Sequence, residues 1–321
     1  MSCAMSAMRL LLGLAAAGLA AGPVRADPAP DCTLHEVAVL STVPTANGTI
    51  VVPARIDGHV IALEVDTGAV RSEISASVAA SLGLPVRSLR RGAAFDVLGR
   101  PVDRATFDRV LEIGMVRVEH MPILVATHAL WDGTGIAGLL GPDVLRGYDL
   151  ELDPAAGRVA LYRPDHCPGR VVYWSRSHVE VPLEIASSGH IFLSMTLDGQ
   201  ALRAVLDTGA GVSVLNLDVA RRRFGLDTDA PGMVAVDPGG AVPHYRYPFK
   251  TLAMEGISIN HPRLDILPNR ARLRPDPDGH PLSEEPNGLP DLLLGMATLR
   301  RLHLYIAYGE HRLYATDADA H

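Results

Sequence analysis

Two stretches of this sequence are copies of one unit, and they decide the fold. The first begins at Gly48 and reads GTIVVPARIDGHVIALEVDTGAVRSEIS; the second begins at Gly189 and reads GHIFLSMTLDGQALRAVLDTGAGVSVLN. They align without a gap at an offset of 141 residues, which places Asp66 on Asp207. A repeat of this length indicates that one structural unit is used twice.

The similarity continues towards the end of each copy. The stretch GLLGPDVLRGYDLEL from Gly138 resembles LLLGMATLRRLHLYI from Leu292. The second copy also carries Pro275–Pro290, a Pro-, Gly- and acid-rich stretch that indicates an inserted surface loop, either a specificity loop or a plain insert. We therefore predict two units, 27–170 and 171–321.

Each unit is predicted to consist mostly of β-strands. Apolar residues alternate along Val60–Val65 and Leu202–Leu206, which is typical of a strand with one buried face. Asp57-Gly58 and Asp198-Gly199 lie between apolar runs and indicate hairpin turns. Short helices are predicted at Ala76–Leu82 with Ser75 as N-cap, at Leu217–Phe224 with Asn216 as N-cap, and from Pro142 onwards.

Residues 1–26 are predicted to be a signal peptide. Met8-Arg9 precede the apolar run from Leu10 to Gly22, and Val24-Arg25-Ala26 offers small residues for cleavage before Asp27. The run is too short to span a bilayer comfortably, and an N-terminal anchor or a buried helix is the alternative. We expect an exported protein with no membrane segment after cleavage.

Two cysteines remain beyond the predicted cleavage site, Cys32 and Cys167. Two thiols in an exported chain predict one disulfide, with two unpaired thiols as the alternative. A disulfide that closes so long a loop is expected to stabilise the fold by about 4–5 kcal/mol in the chain-entropy description.

The composition excludes several classes of protein. An apolar fraction of 48% excludes a disordered chain, and a formal net charge of −7 argues against a nucleic-acid partner. The 13 histidines show no metal-ligand spacing, so no metal or other cofactor is expected. His303 lies on a strand-like stretch and is predicted to be an edge or surface residue.

Both units end an apolar strand in the same tetrapeptide, Asp66-Thr67-Gly68-Ala69 and Asp207-Thr208-Gly209-Ala210. One copy would be a weak signal, because Asp-x-Gly is common in turns. Two copies after buried-looking strands indicate function, since a carboxylate there is costly unless it is paired or hydrogen-bonded. The alternative is a structural turn that duplication preserved twice.

With these motifs the chain resembles the retropepsin and pepsin family of aspartic proteases. Leu139-Leu140-Gly141 and Leu293-Leu294-Gly295 match a second family motif, two apolar residues and a glycine before a short helix. The resemblance covers most of residues 36–316 and extends to bacterial exported proteins with two retropepsin-like lobes in one chain. It implies an all-β, pepsin-like bilobal fold: two β-barrel lobes related by a pseudo-twofold axis, with a few short helices.

The resemblance also implies a role for each motif residue. Asp66 and Asp207 would be the catalytic pair, which shares one proton and activates the water that hydrolyses a peptide bond. The supporting residues would be Thr67 and Thr208, which hydrogen-bond across the lobe junction; Gly68 and Gly209, which let backbone amides approach the carboxylates; and Gly141 and Gly295, which support each loop.

Ala69 and Ala210 stand where many pepsin-like lobes have serine or threonine. A hydroxyl at this place can hydrogen-bond a catalytic carboxylate and favour its charged form. Two alanines therefore predict a pair that titrates higher than in acid proteases, with activity at weakly acidic to neutral pH.

The expected partner is a peptide or protein substrate that binds in an extended conformation between the lobes, with apolar side chains flanking the cut. The chain is expected to be a monomer, an intramolecular pseudo-dimer, in the periplasm or secreted. One alternative is a catalytically silent peptide-binding or scaffold protein on the same fold; another is a dimer in which each lobe pairs with its twin. Gly92–Arg104 and Gly232–Tyr245 are candidate flaps or plain surface hairpins.

Overall fold

The computed structural model describes residues 32–89, 102–127, 129–236, 243–268 and 290–319. The predicted signal peptide lies outside these ranges, as do residues 92–101 and 237–242 of the two flap candidates and residues 275–289 of the predicted loop. The interpretations of these segments stay predictions.

The first half of the described chain has ten strands and two helices, and the second half has thirteen strands and two helices. In chain order the first half contains β1 Glu36–Ser41, β2 Val51–Ile56, β3 His59–Val65, β4 Glu73–Ser75, α1 Ala76–Ser81, β5 Val86–Ser88, β6 Arg104–Ile113, β7 Val116–Ala126, β8 Gly138–Leu140, α2 Pro142–Leu145, β9 Asp149–Asp153 and β10 Arg158–Tyr162. The second half contains β11 Val179–Pro182, β12 Glu184–Ile185, β13 Ile191–Leu197, β14 Gln200–Leu206, β15 Ser213–Asn216, α3 Leu217–Phe224, β16 Val234–Ala235, β17 Tyr245–Arg246, β18 Thr251–Met254, β19 Ile257–Asn260, β20 Leu264–Leu267, β21 Leu292–Leu294, α4 Met296–Leu299, β22 Leu302–Ala307 and β23 Arg312–Asp317. None of the helices in these ranges is long and apolar enough to cross a membrane.

Tight turns join the first hairpin of each half. Asp57 and Gly58 connect β2 to β3 with φ of 49° and 83°, and Asp198 and Gly199 connect β13 to β14 with φ of 45° and 82°. Two successive residues with positive φ form the turn that suits a two-residue hairpin, and Asp-Gly is a favoured sequence for it. The two predicted hairpins are confirmed.

The three predicted helices are also confirmed. α1 begins after Ser75 and α3 after Asn216, and each of these side chains accepts a hydrogen bond from an amide of the first turn. α2 begins at Pro142. α1 ends at Ser81 because Leu82, with ψ of 0°, already serves as its C-cap.

The two halves share one pattern of strand pairing. In the first sheet β8 lies between parallel β3 and antiparallel β4, and β4 pairs in parallel with β7. In the second sheet β21 lies between parallel β14 and antiparallel β15, and β15 pairs in parallel with β20. β2 contacts both β3 and β6, which curls the first sheet towards a barrel. The predicted all-β fold of two equivalent lobes is confirmed.

A third sheet joins the lobes. Its six antiparallel strands run in the order β1, β10, β9, β22, β23, β11, with Leu152 of β9 opposite Leu304 of β22 at its centre. Three strands come from each half of the chain, and the largest apolar core also draws on both halves. The exact lobe boundary, 27–170 against 171–321, stays a prediction.

The predicted disulfide between Cys32 and Cys167 is confirmed. It joins residues 135 positions apart in the sequence and ties the segment before β1 to the segment after β10. The bond therefore fastens the outer edge of the six-stranded sheet on the first-lobe side.

The prediction for His303 was wrong, because this residue is only 5% exposed. Its imidazole stacks on the indole of Trp174 with ring centroids 3.8 Å apart, and Nε2 lies 2.8 Å from Oε1 of Glu151. All six residues of β22 are buried, so both faces of this strand are covered. Apolar and polar residues therefore do not alternate along it, and the sequence pattern could not show that His303 is buried.

Glu151 is the centre of a buried polar network in the same sheet. Its fully buried carboxylate also accepts hydrogen bonds from Arg158 at 2.6 Å, Tyr162 at 2.8 Å and Tyr173 at 2.9 Å. Burial acts to raise the pKa of Glu151. The opposite effect of these hydrogen bonds, of the bond with His303 and of the Arg158 charge is larger, so the pKa lies below its usual value.

Candidate active site

The two motif aspartates follow directly on equivalent strands. β3 ends at Val65 and β14 ends at Leu206, so Asp66 and Asp207 are the first residues beyond them. The Asp66 amide donates to the Leu140 carbonyl at 3.0 Å, and the Asp207 amide donates to the Leu294 carbonyl at 3.0 Å. Each aspartate is therefore held by the second motif of its own lobe.

Each carboxylate is held by the loop that follows it. Oδ1 of Asp66 accepts hydrogen bonds from the amides of Gly68 at 2.8 Å and Ala69 at 2.9 Å. Oδ1 of Asp207 accepts the equivalent bonds from the two residues at the same places in its own loop, both at 3.0 Å. Two amides on one oxygen fix the orientation of each carboxyl group and leave Oδ2 without a backbone donor from that loop.

The two loops approach each other so closely that each needs a glycine. A Cβ atom at Gly68 would overlap the carboxyl group of Asp207, and one at Gly209 would overlap the carboxyl group of Asp66. Neither glycine has a positive φ, so the requirement is space and not a special backbone conformation. The structure thus brings the two carboxyl groups together, one from each lobe.

Burial sets the titration of the pair. Asp66 is 4% exposed, and burial, the Asp207 charge and the Glu64 charge raise its pKa well above the usual value. Burial also raises the pKa of Asp207, although its two loop amides and Asp66 act in the opposite direction. Two neighbouring carboxyl groups with raised pKa values favour a state in which one proton is shared between them.

Thr67 and Thr208 form a reciprocal junction between the lobes. Oγ1 of Thr67 donates to the Leu206 carbonyl at 2.8 Å, and Oγ1 of Thr208 donates to the Val65 carbonyl at 2.5 Å. Each hydroxyl oxygen also accepts from the amide of the other threonine, at 3.1 and 3.2 Å. Four bonds between fully buried groups therefore lock the two loops to each other.

Removing one of these hydroxyls should destabilise the protein measurably. Thr67→Val leaves the Leu206 carbonyl and the Thr208 amide buried without this partner, so we expect the free energy of unfolding to fall by about 1–3 kcal/mol in urea titrations. Thr67→Ser keeps the hydroxyl and is the matched control. Equal stability of the valine and serine variants would contradict the role given to this hydroxyl.

Gly141 and Gly295 lie where the second motif passes behind each loop. A Cβ atom at Gly141 would lie 2.6 Å from the carbonyl carbon of Arg71, and one at Gly295 would overlap the Val212 carbonyl. The amide of Gly141 donates to Oγ of Ser72 at 2.9 Å. Space again requires glycine, because backbone packs against backbone.

Ser72 and Ser213 hold the second motif behind each loop. Sequence reasoning gave these two serines no role. Oγ of Ser213 accepts from the Gly295 amide at 3.0 Å and lies 2.9 Å from Oγ1 of Thr298. Ser72 donates its amide and hydroxyl hydrogens to Oδ1 of Asp143, at 2.9 and 2.7 Å. Their equivalent positions in the two repeats were the one signal that could have identified them.

Comparison with known proteins agrees with this geometry. A family model described as "Aspartyl protease" matches residues 52–144 and 193–298. The chain belongs to the aspartyl protease family. One matched region lies in each lobe, and each contains one Asp-Thr-Gly-Ala loop.

Among solved structures, this aspartyl protease family member is similar to basic 7S globulin from soybean, with a TM-score of 0.51 and 11% sequence identity. The alignment covers 90% of this chain and 96% of the globulin chain. At this identity the likeness shows the fold alone. No curated protein matches the sequence.

Two more residues lie beside the aspartate pair of this aspartyl protease family member, and sequence reasoning did not identify them. Nε2 of His190 lies 2.9 Å from the Gly68 carbonyl, which can only accept, so this nitrogen carries a proton. Glu64 is a buried acid two residues before Asp66. Within the described ranges, no group of three or more His, Cys, Asp or Glu side chains is arranged to hold a metal ion.

Proposed function

We propose that this protein is an aspartic endopeptidase that hydrolyses peptide bonds with a water molecule activated between Asp66 and Asp207. The observation that carries the proposal is the pair itself: two carboxyl groups from two lobes, each held by two loop amides and each against the glycine of the other loop. Membership of the aspartyl protease family supports a peptidase in general.

The chemistry follows from one shared proton. The ionised carboxylate of the pair takes a proton from a water molecule, whose oxygen attacks the carbonyl carbon of the scissile bond. The protonated carboxyl group donates its proton to the carbonyl oxygen, which gives a tetrahedral intermediate with two hydroxyl groups. The intermediate collapses when a hydroxyl proton returns to the pair and a proton passes to the departing nitrogen. One water molecule is consumed, and the pair returns to its starting state.

The raised pKa values give an expectation for the pH dependence. Activity requires one proton on the pair, so it falls when both carboxyl groups are protonated and when both are ionised. Because burial raises the pKa of both Asp66 and Asp207, the singly protonated state extends to higher pH than for exposed carboxyl groups. We expect kcat/KM to peak at weakly acidic to neutral pH, and a maximum below about pH 3 would contradict this.

We also infer that the protein acts outside the cytoplasm as a single chain. The disulfide between Cys32 and Cys167 supports an oxidising compartment, which agrees with the predicted signal peptide. Because both aspartates come from one chain, a monomer contains a complete pair.

Digestion of a peptide library, with the products identified by mass spectrometry, tests the proposed function. The expected result is internal cleavage that disappears when Asp66 is replaced by asparagine. The absence of cleavage by the wild-type protein between about pH 3 and pH 8 would instead favour a catalytically silent peptide-binding protein.

A further inference from the structure

The side chains that lie beside each aspartate on its face of the sheet, which we call the wall of that lobe, differ between the lobes. Glu64 lies two residues before Asp66 on β3, and Val205 lies two residues before Asp207 on β14. Alternate residues of a strand share a face, so Glu64 and Val205 face the same side as their aspartates. The residues between them, Val65 and Leu206, belong to the apolar core on the other side.

The difference extends across a row of three residues in each sheet. Strand register places Leu139 between Glu64 and Glu73 in the first lobe. In the second lobe Leu293 lies at the same place, between Val205 and Val214. Paired residues of neighbouring strands share a face, so two glutamates stand in the first lobe where two valines stand in the second.

Glu64 has little contact with water, its strand partners are apolar, and its nearest polar side chains are the uncharged Thr49 and Trp131. It is 7% exposed, which is slightly more than the 4% of Asp66, and its strand partners are Val51 and Leu139. Nε1 of Trp131 lies 3.4 Å from Oε2 of Glu64. Among the described residues no Arg, Lys or His side chain forms an ion pair with it. Burial raises the pKa of Glu64, although the hydrogen bonds of Thr49 and Trp131 act in the opposite direction.

A carboxylate in such surroundings gains more from a cation than an exposed carboxylate does, because water does not compensate it. A peptide that reacts at the pair crosses both lobes, so the side chains on either side of the scissile bond contact the walls beside Asp66 and Asp207. The first-lobe wall offers the carboxyl group of Glu64, whereas the second-lobe wall offers the side chain of Val205.

We propose that Glu64 determines substrate specificity and selects peptides with an arginine or lysine on the first-lobe side of the scissile bond and an apolar residue on the Val205 side. This inference rests on the proposed function and specifies its substrate class. It replaces the expectation of apolar residues on both sides of the cut.

Cleavage-site profiling with a peptide library tests the proposal. For the wild-type protein we expect Arg or Lys at one of the two positions flanking the cut to raise kcat/KM by about 10- to 100-fold over Leu. Glu64→Gln keeps the shape of the side chain without its charge and should abolish this preference. Absence of a preference for Arg or Lys in the wild type, or its survival in Glu64→Gln, would overturn the proposal.

An exchange between the lobes makes the test sharper. Glu64→Val copies the second-lobe wall and should convert the preference from basic to apolar. The double variant Glu64→Val/Val205→Glu should move the basic preference to the other side of the scissile bond. Val205→Leu is the control, because it changes the second wall without adding charge and should keep the wild-type preference for Arg or Lys.

A binding measurement separates this inference from the proposed function. The probes are two peptides with a hydroxyethylene group in place of the scissile bond, one with Arg and one with Leu on the side that profiling identifies, or each side in turn. Tighter binding of the Arg peptide by wild type but not by Glu64→Gln, without hydrolysis of any peptide, would support the subsite and refute the hydrolase. Equal binding of both peptides together with normal hydrolysis would refute the subsite alone.

Discussion

Replacing either aspartate of the pair with asparagine should lower kcat for peptide cleavage by at least about 10³-fold, because the pair loses the group that takes or donates the proton in every turnover. Asp66→Asn and Asp207→Asn should have effects of similar size, since each carboxyl group acts only together with the other. KM should change much less, because the backbone and the side chains beside the pair are kept. Steady-state kinetics on one peptide from the library measures both constants.

The stability of these variants provides the control. Burial and mutual repulsion disfavour the ionised pair, so replacing one carboxyl group with an amide should leave the melting temperature unchanged or higher. Asp227→Asn, at an exposed aspartate that pairs with Arg221, should keep the wild-type kcat. Cleavage that survives in both pair variants would exclude Asp66 and Asp207 as the catalytic groups.

The largest effect on stability is expected at Glu151. Glu151→Gln removes the charge at the centre of the buried network and leaves Arg158 and His303 without their carboxylate, although the side chain keeps its size. Loss of one partner from a buried charged network costs about 3–5 kcal/mol of unfolding free energy. Chemical denaturation of the full chain at neutral pH measures this change.

The matched control is Glu180→Gln on β11, a half-exposed glutamate at the edge of the same sheet. Its ion pair with His178 spans 3.6 Å and is open to solvent, so its loss should cost at most about 1 kcal/mol. If Glu151→Gln were as mild as this control, the network would not hold the sheet together.

The repeat and its alternating strands predicted the lobes correctly because their determinants are local. Asp57-Gly58 encodes a turn within two residues, and Ser75 caps a helix within the next turn, so neither depends on distant parts of the chain. The second motif, Leu139-Leu140-Gly141, is likewise local: its two leucines indicate a buried strand, and its glycine indicates close packing of backbone against backbone.

The six-stranded sheet could not be predicted in the same way. β9 pairs with β22 across about half of the chain, and no local pattern records which distant strand a segment will join. His303 was misplaced for this reason: the stack on Trp174 and the bond to Glu151 come from segments far away in sequence.

Site residues outside the motifs were missed for a related reason. In the sequence Glu64 is a single charged residue within an apolar strand. Its position beside the pair becomes evident only when the strand register is known. Ser72 and Ser213 align in the repeat, but their partners, Asp143 and Thr298, are not equivalent residues. Each hydroxyl oxygen accepts from the amide of the equivalent glycine, Gly141 or Gly295, but the second partner differs between the lobes.

Because both lobes belong to one chain, the assembly of the aspartate pair does not depend on protein concentration. A site assembled from two separate subunits dissociates on dilution, and its activity per molecule then falls. Here β9 and β22 pair within one molecule, and the covalent link makes the encounter of the two aspartates unimolecular. Dilution would therefore leave the pair of Asp66 and Asp207 intact, however few copies of the protein are present.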